Sequence, residues 1–303
     1  MAYHLKKVVI SGATGTIGVA LTNLFTSEGV DCVLLNMPGI TNPKAYSHPE
    51  RITFIDCLLT DYSSLMQIPT DCDAFIHLSW AGTFGPNRDD TTLQVQNIKG
   101  VMDALDLAKR MGCKAFVGAG SQAEYGKGVE SEDRPLMPVT GYGMAKLAAG
   151  QLGKLKASQI GIRFNWIRIF SVYGPFSGAG SLTQYIVSTL LKGESPKLTK
   201  CEQIWDFLYT EDAVRAIAAV ADKGLDGKTY ELGSGVTGTI RSFVEPIPQW
   251  LGINLPIEFG ALEYPPNQIM KMCAHVDELK KDTGWAPTVS FEEGIRKVAA
   301  SLK

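Results

Sequence analysis

Short β-branched and apolar runs alternate with stretches of helical period through the first half of the chain. Val8–Ser11 predicts a strand and Ile17–Glu28 a helix, and Asp31–Leu35, Ile52–Ile55 and Ala74–Leu78 predict three further strands. Across Thr91–Met111, the apolar positions Leu93, Ile98, Val101, Leu105 and Ala108 approximate the helical period and predict one long helix. Ala115–Ala119 predicts a fifth strand, Met144–Ala157 a helix and Asn165–Phe170 a sixth strand. Strands separated by helices imply right-handed crossovers and a parallel sheet.

After Tyr173 the pattern changes. Residues 174–180 (GPFSGAG) predict a loop, Leu182–Lys192 a helix, Asp206–Tyr209 a short strand and Thr210–Ala221 a helix. Thr229–Leu232 is placed to return to the main sheet, and prolines at 246, 248, 256, 265 and 266 punctuate an irregular lobe. The expected fold is α/β: a Rossmann-type doubly wound parallel sheet with a smaller C-terminal substrate-binding lobe. The dinucleotide-binding portion is expected to span 1–173 with a return segment at about 203–233, leaving 174–202 and 234–303 to the lobe. The chain shows no internal repeat and no low-complexity segment.

Composition adds exclusions. The 303 residues include 29 basic and 31 acidic side chains, a net charge of −2, which gives no basic footprint for nucleic acid or an anionic membrane. The six cysteines (32, 57, 72, 113, 201 and 273) form no CxxC pair and no Cys/His grouping of zinc spacing, so buried reduced thiols and no metal site are expected. The opening MAYHLKKVVISGATGTIG is broken too early for a signal peptide, and no apolar stretch approaches the roughly 20 residues that span a bilayer. A cytoplasmic protein is the expectation.

VVISGATGTIG sets Gly12, Gly15 and Gly18 directly after the first strand, at the opening of the first helix. Such a turn needs glycine because its backbone approaches a pyrophosphate, whose charge the amides and the helix N-terminus hold. An acidic residue commonly ends the second strand and binds the adenosine ribose. Here that position is Asn36, which can hydrogen-bond a ribose and does not repel a 2′-phosphate, yet no arginine follows it. NAD and NADP therefore both remain open as cofactors.

Within GYGMAK, Tyr142 and Lys146 stand four residues apart, on one helix face. A phenol of pKa about 10 is a poor base at neutral pH, and a nearby lysine favours its ionised form. Alone the spacing is common. Ser121 gives it weight, because it ends the fifth strand, where parallel sheets bind ligands, and its hydroxyl can hold a reacting oxygen. Ser121, Tyr142 and Lys146 form a proton-transfer set suited to a nicotinamide. His77, ending the fourth strand, reads as structural or cofactor-lining, and Arg88–Asp89–Asp90 reads as a solvated loop.

The segments SGATGTIG, AFIHLSWAG, QNIKGVMDAL, GSQAEYG, YGMAK, IRIFSVYGP, DFLYTEDAV and LKKDTGWAPTVSFEEGI run nearly end to end. Together they resemble the extended short-chain dehydrogenase/reductases, the NAD-dependent epimerase/dehydratase group that acts mainly on nucleotide sugars. The run EFGALEY…QIM…LKKDTGW is similar to that of bacterial CDP-abequose and CDP-paratose synthase-like 4-reductases. The resemblance implies an enzyme with a bound NAD(P), often a homodimer formed through a helix pair. It implies a cofactor set of Gly12, Thr14, Gly15, Thr16, Ile17, Gly18, Asn36, Leu78, Asn97, Tyr142, Lys146 and Val172. Trp80, Gln122, Ala123 and Trp205 are expected at the substrate.

Departures from the family narrow the chemistry. Dehydratases carry an acidic pair where this chain has Gln122 and Ala123, neither of which transfers a proton. Arginines that touch the substrate diphosphate are replaced by Trp205 and, in the C-terminal lobe, by Pro265 or its neighbour. Each would have contributed about 1.5–3 kcal/mol of charge-assisted contact, and Lys197 and Lys200 are placed to compensate. Trp205 reads either as a stacking platform or as a packed tryptophan. The leading expectation is a nucleotide-sugar 4-ketoreductase or epimerase. The alternatives are a reductase of a non-nucleotide carbonyl compound and a non-catalytic dinucleotide-binding regulatory protein.

Overall fold

The computed structural model describes residues 3–128, 135–175, 180–266 and 268–302. The N-terminal half runs β1 (Lys7–Ser11), α1 (Thr16–Ser27), β2 (Asp31–Asn36), β3 (Ile52–Asp56), β4 (Ala74–His77) and α2 (Thr91–Arg110). It continues through β5 (Ala115–Ser121), α3 (Gly141–Ile160), β6 (Arg163–Ile169) and β7 (Ser171–Tyr173). Then follow α4 (Leu182–Leu191), β8 (Ile204–Tyr209), α5 (Thr210–Lys223), β9 (Thr229–Leu232) and β10 (Thr237–Thr239). The chain ends with α6 (Ile240–Val244), α7 (Ile247–Trp250), β11 (Lys271–Met272), α8 (Asp277–Thr283) and α9 (Phe291–Ser301).

Seven strands form one sheet in the order β3-β2-β1-β4-β5-β6-β9, with every neighbouring pair parallel. Strand order reverses between β1 and β4, which opens a crevice at the C-terminal strand ends. Alternation along β1 explains the two covering layers. Val8 and Ile10 face a core with Leu21 and Phe25 of α1 and Ile217 of α5, while Val9 faces Val101 and Leu105 of α2 and Ala149 of α3. Both faces are buried, so β1 reads as continuous apolar sequence.

Thr229–Leu232 returns to the main sheet beside β6, as expected. Ile204–Tyr209 does not join that sheet. It pairs with β7 along its C-terminal half and with β10 and β11 along its N-terminal half, making a small second sheet. A third core lies beyond it, where Tyr173, Ile186, Val187, Ile247, Ile295 and Val298 gather. Of the expected loop at 174–180, residues 176–179 lie outside the described residues.

Two boundaries differ from expectation in ways that matter to the site. β5 runs on to Ser121, and α3 begins at Gly141 because the Thr140 hydroxyl accepts the Gly143 amide, which puts Tyr142 in the first turn. The glycines of β5 are spacers. A Cβ on Gly118 or Gly120 would lie 2.4 or 2.3 Å from the Trp166 ring, so their absence admits that indole between β5 and α3.

Candidate active site

Gly12 turns the chain out of β1 with φ +71°, and a Cβ there would lie 2.7 Å from the Ser79 amide. A Cβ on Gly18 would meet the Gly12 carbonyl at 2.4 Å, so the turn closes against α1 only if both positions are glycine. Gly15 caps α1 without a side-chain cap bond, leaving first-turn amides for an anion, and Thr16 and Ile17 begin that helix.

A cavity of about 540 Å³ opens beside this turn. Gly12, Thr14, Gly15, Asn36, Leu78, Trp80 and Asn97, all expected from sequence at cofactor or substrate, line it together. Asn36 is buried and donates from Nδ2 to Thr41 Oγ1 at 3.1 Å, while its Oδ1 has no partner among the described residues. A cavity-lining residue with an unpartnered buried acceptor fits a site for a ribose hydroxyl. Asn97 braces the wall: its Nδ2 donates to the Ala81 carbonyl at 2.8 Å and its Oδ1 accepts the Ala81 amide at 3.0 Å. Sequence reasoning missed Met37, Leu58, Tyr62 and Ser79 in the same wall. The β2–β3 register, which sets Asn36 opposite Asp56, is the signal that places Leu58 there.

Across Trp80 from the cavity stands the polar set. Ser121 closes β5, and its hydroxyl accepts the Ala123 amide at 3.1 Å. Tyr142 is buried, and burial pushes its phenol above the usual value while a hydrogen bond with Ser121 and the Arg88 charge pull it back. The Trp80 ring meets Tyr142 edge-on at 6.1 Å, joining the cavity wall to α3. Lys146 does not face the phenol. Its Nζ donates to the Ala119 carbonyl at 2.6 Å and lies 3.7 Å from the Trp80 ring centroid, against 5.8 Å from that of Tyr142. Burial pushes the ammonium down to about 7, with the Glu124 carboxylate opposing the shift.

Gln122 and Ala123 begin a 3₁₀ turn just past Ser121 and are half-buried. Glu124 points away from the cavity. Its Oε1 accepts the Ser121 amide and the Trp166 indole N–H, both at 2.9 Å, and its Oε2 accepts Arg168 Nε at 2.7 Å. With both oxygens engaged and the residue fully buried, Glu124 is a structural carboxylate.

His77 also belongs to the core. Its Nδ1 lies 2.8 Å from the Ser11 hydroxyl, and Tyr62, Phe75 and Phe116 surround the ring. Burial first, then the Lys146 charge, pushes it down to about 3, against about 6.5 in an unfolded chain. A depressed histidine contributes stability that is fully present above pH ~6.5 and is lost as pH falls toward ~3. His77→Gln is therefore expected to flatten the stability–pH slope in that window by up to about 1.4 kcal/mol per pH unit, read by urea unfolding. An unchanged slope would place the titration elsewhere.

Val172 and Trp205 meet across β7 and β8, in a smaller cavity of about 310 Å³ with Ser171 and Tyr173. The Trp205 indole donates to Ser171 Oγ at 2.6 Å, so this tryptophan of the second sheet is anchored in the cavity wall while packed against the third core. A third cavity, of about 410 Å³, has Lys197, Leu198 and the unpartnered buried Oε1 of Gln203. Pro265 and Lys200 are exposed. All six cysteines are buried, and none is in a disulfide among the described residues. Among the described residues no His/Cys/Asp/Glu group could hold a metal, and no helix is long and apolar enough to cross a membrane.

Asp89 and Asp90 of the Arg88–Asp89–Asp90 run are exposed, as a solvated loop implies, but Arg88 is half-buried and the run is tied to its neighbours. Asp89 accepts the Gly141 amide at 2.7 Å, Asp90 caps α2, and Arg88 lies half-buried on the Tyr142 ring at 4.5 Å. Charge density alone could not reveal this, because the partner is the start of a distant helix.

The sequence profile of the NAD dependent epimerase/dehydratase family matches residues 8–233. A CDP-abequose synthase of Salmonella typhimurium is 26% identical over 100% of both chains. Among solved structures, a UDP-N-acetylglucosamine 4-epimerase from Methanobrevibacter ruminantium, in complex with UDP-N-acetylmuramic acid, superposes with TM-score 0.87 at 21% identity over 98% of each chain. A UDP-glucuronic acid 4-epimerase variant from Bacillus cereus, in complex with a fluorinated UDP-sugar and NAD, gives 0.81 at 20% identity over 98% of each chain.

Proposed function

The chain belongs to the NAD dependent epimerase/dehydratase family, and on that premise we propose that it is a nucleotide-sugar 4-ketoreductase or epimerase working through Ser121, Tyr142 and Lys146. One observation carries the reading: Trp80, which lines the same cavity as Gly12 and Asn36, meets the Tyr142 ring edge-on, with Ser121 beside that phenol at the end of β5.

The cavity residues fit a dinucleotide. The first-turn amides of α1 would hold the pyrophosphate and Asn36 Oδ1 a ribose hydroxyl, with Thr14 and Leu78 beside them. A 2′-phosphate brings negative charge, and no lysine or arginine lines this cavity among the described residues, which favours NAD over NADP. A bound nicotinamide supplies the hydride.

Tyr142 then does the proton chemistry. Its raised pKa keeps the phenol protonated near neutrality, the state that donates to a carbonyl oxygen during reduction. The Ser121 hydroxyl fixes that oxygen, and Lys146 leaves its Ala119 contact to hold the nicotinamide ribose and favour the phenolate once the proton has gone. Run backwards, the same groups accept the proton of an alcohol, which is what epimerisation through a transient ketone needs. Dehydration has no acid–base pair, because Gln122 and Ala123 cannot titrate and Glu124 is held by Arg168, Trp166 and Ser121. The relatives act on or bind nucleotide sugars by name, and the cavities beside Trp205 and Lys197 offer room for one here. The exposed side chains Val95 of α2 and Met144, Leu152 and Leu155 of α3 support a homodimer through that helix pair, which light scattering distinguishes from a monomer.

Thermal unfolding with added ligands tests the assignment. NAD(H) at about 100 times its dissociation constant is expected to stabilise the protein by about 2.7 kcal/mol, with NADP(H) weaker at equal concentration. In the presence of NAD, at least one CDP-, UDP- or dTDP-sugar should add a further shift. Stabilisation by the dinucleotide but by no nucleotide sugar would replace the substrate class with a non-nucleotide carbonyl compound.

A further inference from the structure

Four side chains from three separate segments form an alternating stack of cations and aromatic rings. Arg88 lies over Tyr142 with its guanidinium carbon 4.5 Å from the ring centroid, Tyr142 meets Trp80 edge-on, and Trp80 carries the Lys146 ammonium on its face. We propose that Arg88 is a positioning residue of the active site: laid on the Tyr142 ring, it holds the phenol toward Ser121 and supplies the cation nearest that ring.

The placement is built, not accidental. Arg88 Nη1 donates to the Thr83 carbonyl at 2.8 Å, which steers the guanidinium across its own loop. Next to it, the Asp89 carboxylate accepts the Gly141 amide at the start of α3, and Gly141 has no Cβ where one would lie 3.0 Å from the Arg88 carbonyl. The loop is thus clasped to the turn that carries Tyr142. Trp80 is fixed in turn by donation to Gln94 Oε1 at 2.9 Å. No ion pair engages Arg88 among the described residues, so its charge is available to the ring.

Every charged group facing Tyr142 bears on the consequence. Lys146, from the same helix, is turned to Ala119 and Trp80 and is pushed by burial toward neutrality at about 7. Glu124, behind β5, opposes ionisation of the phenol, and Asp89 spends its carboxylate on a backbone amide. The Ser121 hydroxyl and Arg88 favour ionisation, so Arg88 is the only cation whose charge acts steadily on Tyr142 in this arrangement of the described residues. A guanidinium stays charged throughout the working pH range, which a lysine buried in this way does not.

The inference rests on Tyr142 being the proton-transfer group, and its test needs no turnover. Protein labelled with ¹³C at the tyrosine Cζ carbons gives one resonance per tyrosine, and the one missing from Tyr142→Phe belongs to Tyr142. Its ionisation is followed with pH in the wild type, Arg88→Met and Arg88→Lys, alone and with NAD⁺. Arg88→Met keeps an apolar stem on the ring but removes the charge, so the ionised fraction at a given pH should fall about three- to tenfold. Arg88→Lys should recover at least half of that loss. Curves for wild type and Arg88→Met that superimpose, including the absence of ionisation in both, would overturn the proposal. A protein inactive on every sugar but showing the shift would sink only the substrate assignment.

Discussion

Tyr142→Phe is expected to lower kcat by about 10²- to 10⁴-fold, the usual contribution of a positioned general acid, while NAD affinity changes less than about threefold. The phenol oxygen is the only atom removed, and the ring remains to pack edge-on against Trp80 and beneath Arg88. Stability should hardly move, because the lost hydrogen bond to Ser121 is worth about 1 kcal/mol net. Ser121→Ala belongs to the same test. It leaves the phenol in place but removes the group that fixes the substrate oxygen, so a smaller loss in the same parameter follows. If Tyr142→Phe raised KM alone, the residue would be a binding group and the proton would come from elsewhere.

Glu124→Ala should produce the largest loss of stability in the molecule's catalytic half. The fully buried carboxylate binds Arg168, and its removal leaves a largely buried guanidinium without its ion-pair partner. Breaking one side of a buried pair costs about 3–5 kcal/mol, and the Ser121 amide and Trp166 indole lose their acceptor at the same time. A fall in Tm of roughly 6–15 °C follows by the usual scaling of unfolding entropy. Activity should fall too, since Ser121 is held by its own backbone bond to Glu124. The Arg168 guanidinium retains Tyr125, so some order in the network survives. A variant within about 1 kcal/mol of wild type would show that the network adds little beyond packing.

Where the sequence was informative, a local rule and the tertiary fold agreed. The β1–α1 turn is legible because glycine spacing, strand and helix all lie within one short run, and the structure sets Gly12 and Gly18 in contact as that chemistry requires. The central strands β1, β2 and β4 are legible because, buried on both faces, they are nearly continuously apolar. β10 and β11 are too short for any period to register, and only pairing with β8 defines them. Asp206–Tyr209 is legible as a short strand, but nothing local says that β7 and β10 claim the edges of β8.

The site shows the same limit at finer scale. Helical spacing correctly puts Tyr142 and Lys146 on one face, but the direction of a long flexible side chain depends on what else is near. Here the Ala119 carbonyl and the Trp80 ring draw the ammonium away from the phenol. Arg88 was invisible for the complementary reason. In sequence it belongs to a charged loop, and only the Asp89–Gly141 clasp brings it to Tyr142. Glu124, one position past the place where a dehydratase would carry its acid, could be assigned only once both of its oxygens were seen to be occupied.

The central claim is that Tyr142 passes a proton to the oxygen of a keto nucleotide sugar while a nicotinamide bound beside Gly12 and Asn36 is oxidised. Its most direct test follows nicotinamide absorbance on mixing the NADH-loaded protein with a panel of 4-keto CDP-, UDP- and dTDP-sugars, wild type beside Tyr142→Phe. The account predicts oxidation of one equivalent of NADH per keto sugar reduced by the wild type, and a rate lower by at least about 10²-fold in the variant with NADH still bound. Equal rates in the two proteins, or bound NADH that no keto sugar oxidises, would contradict it.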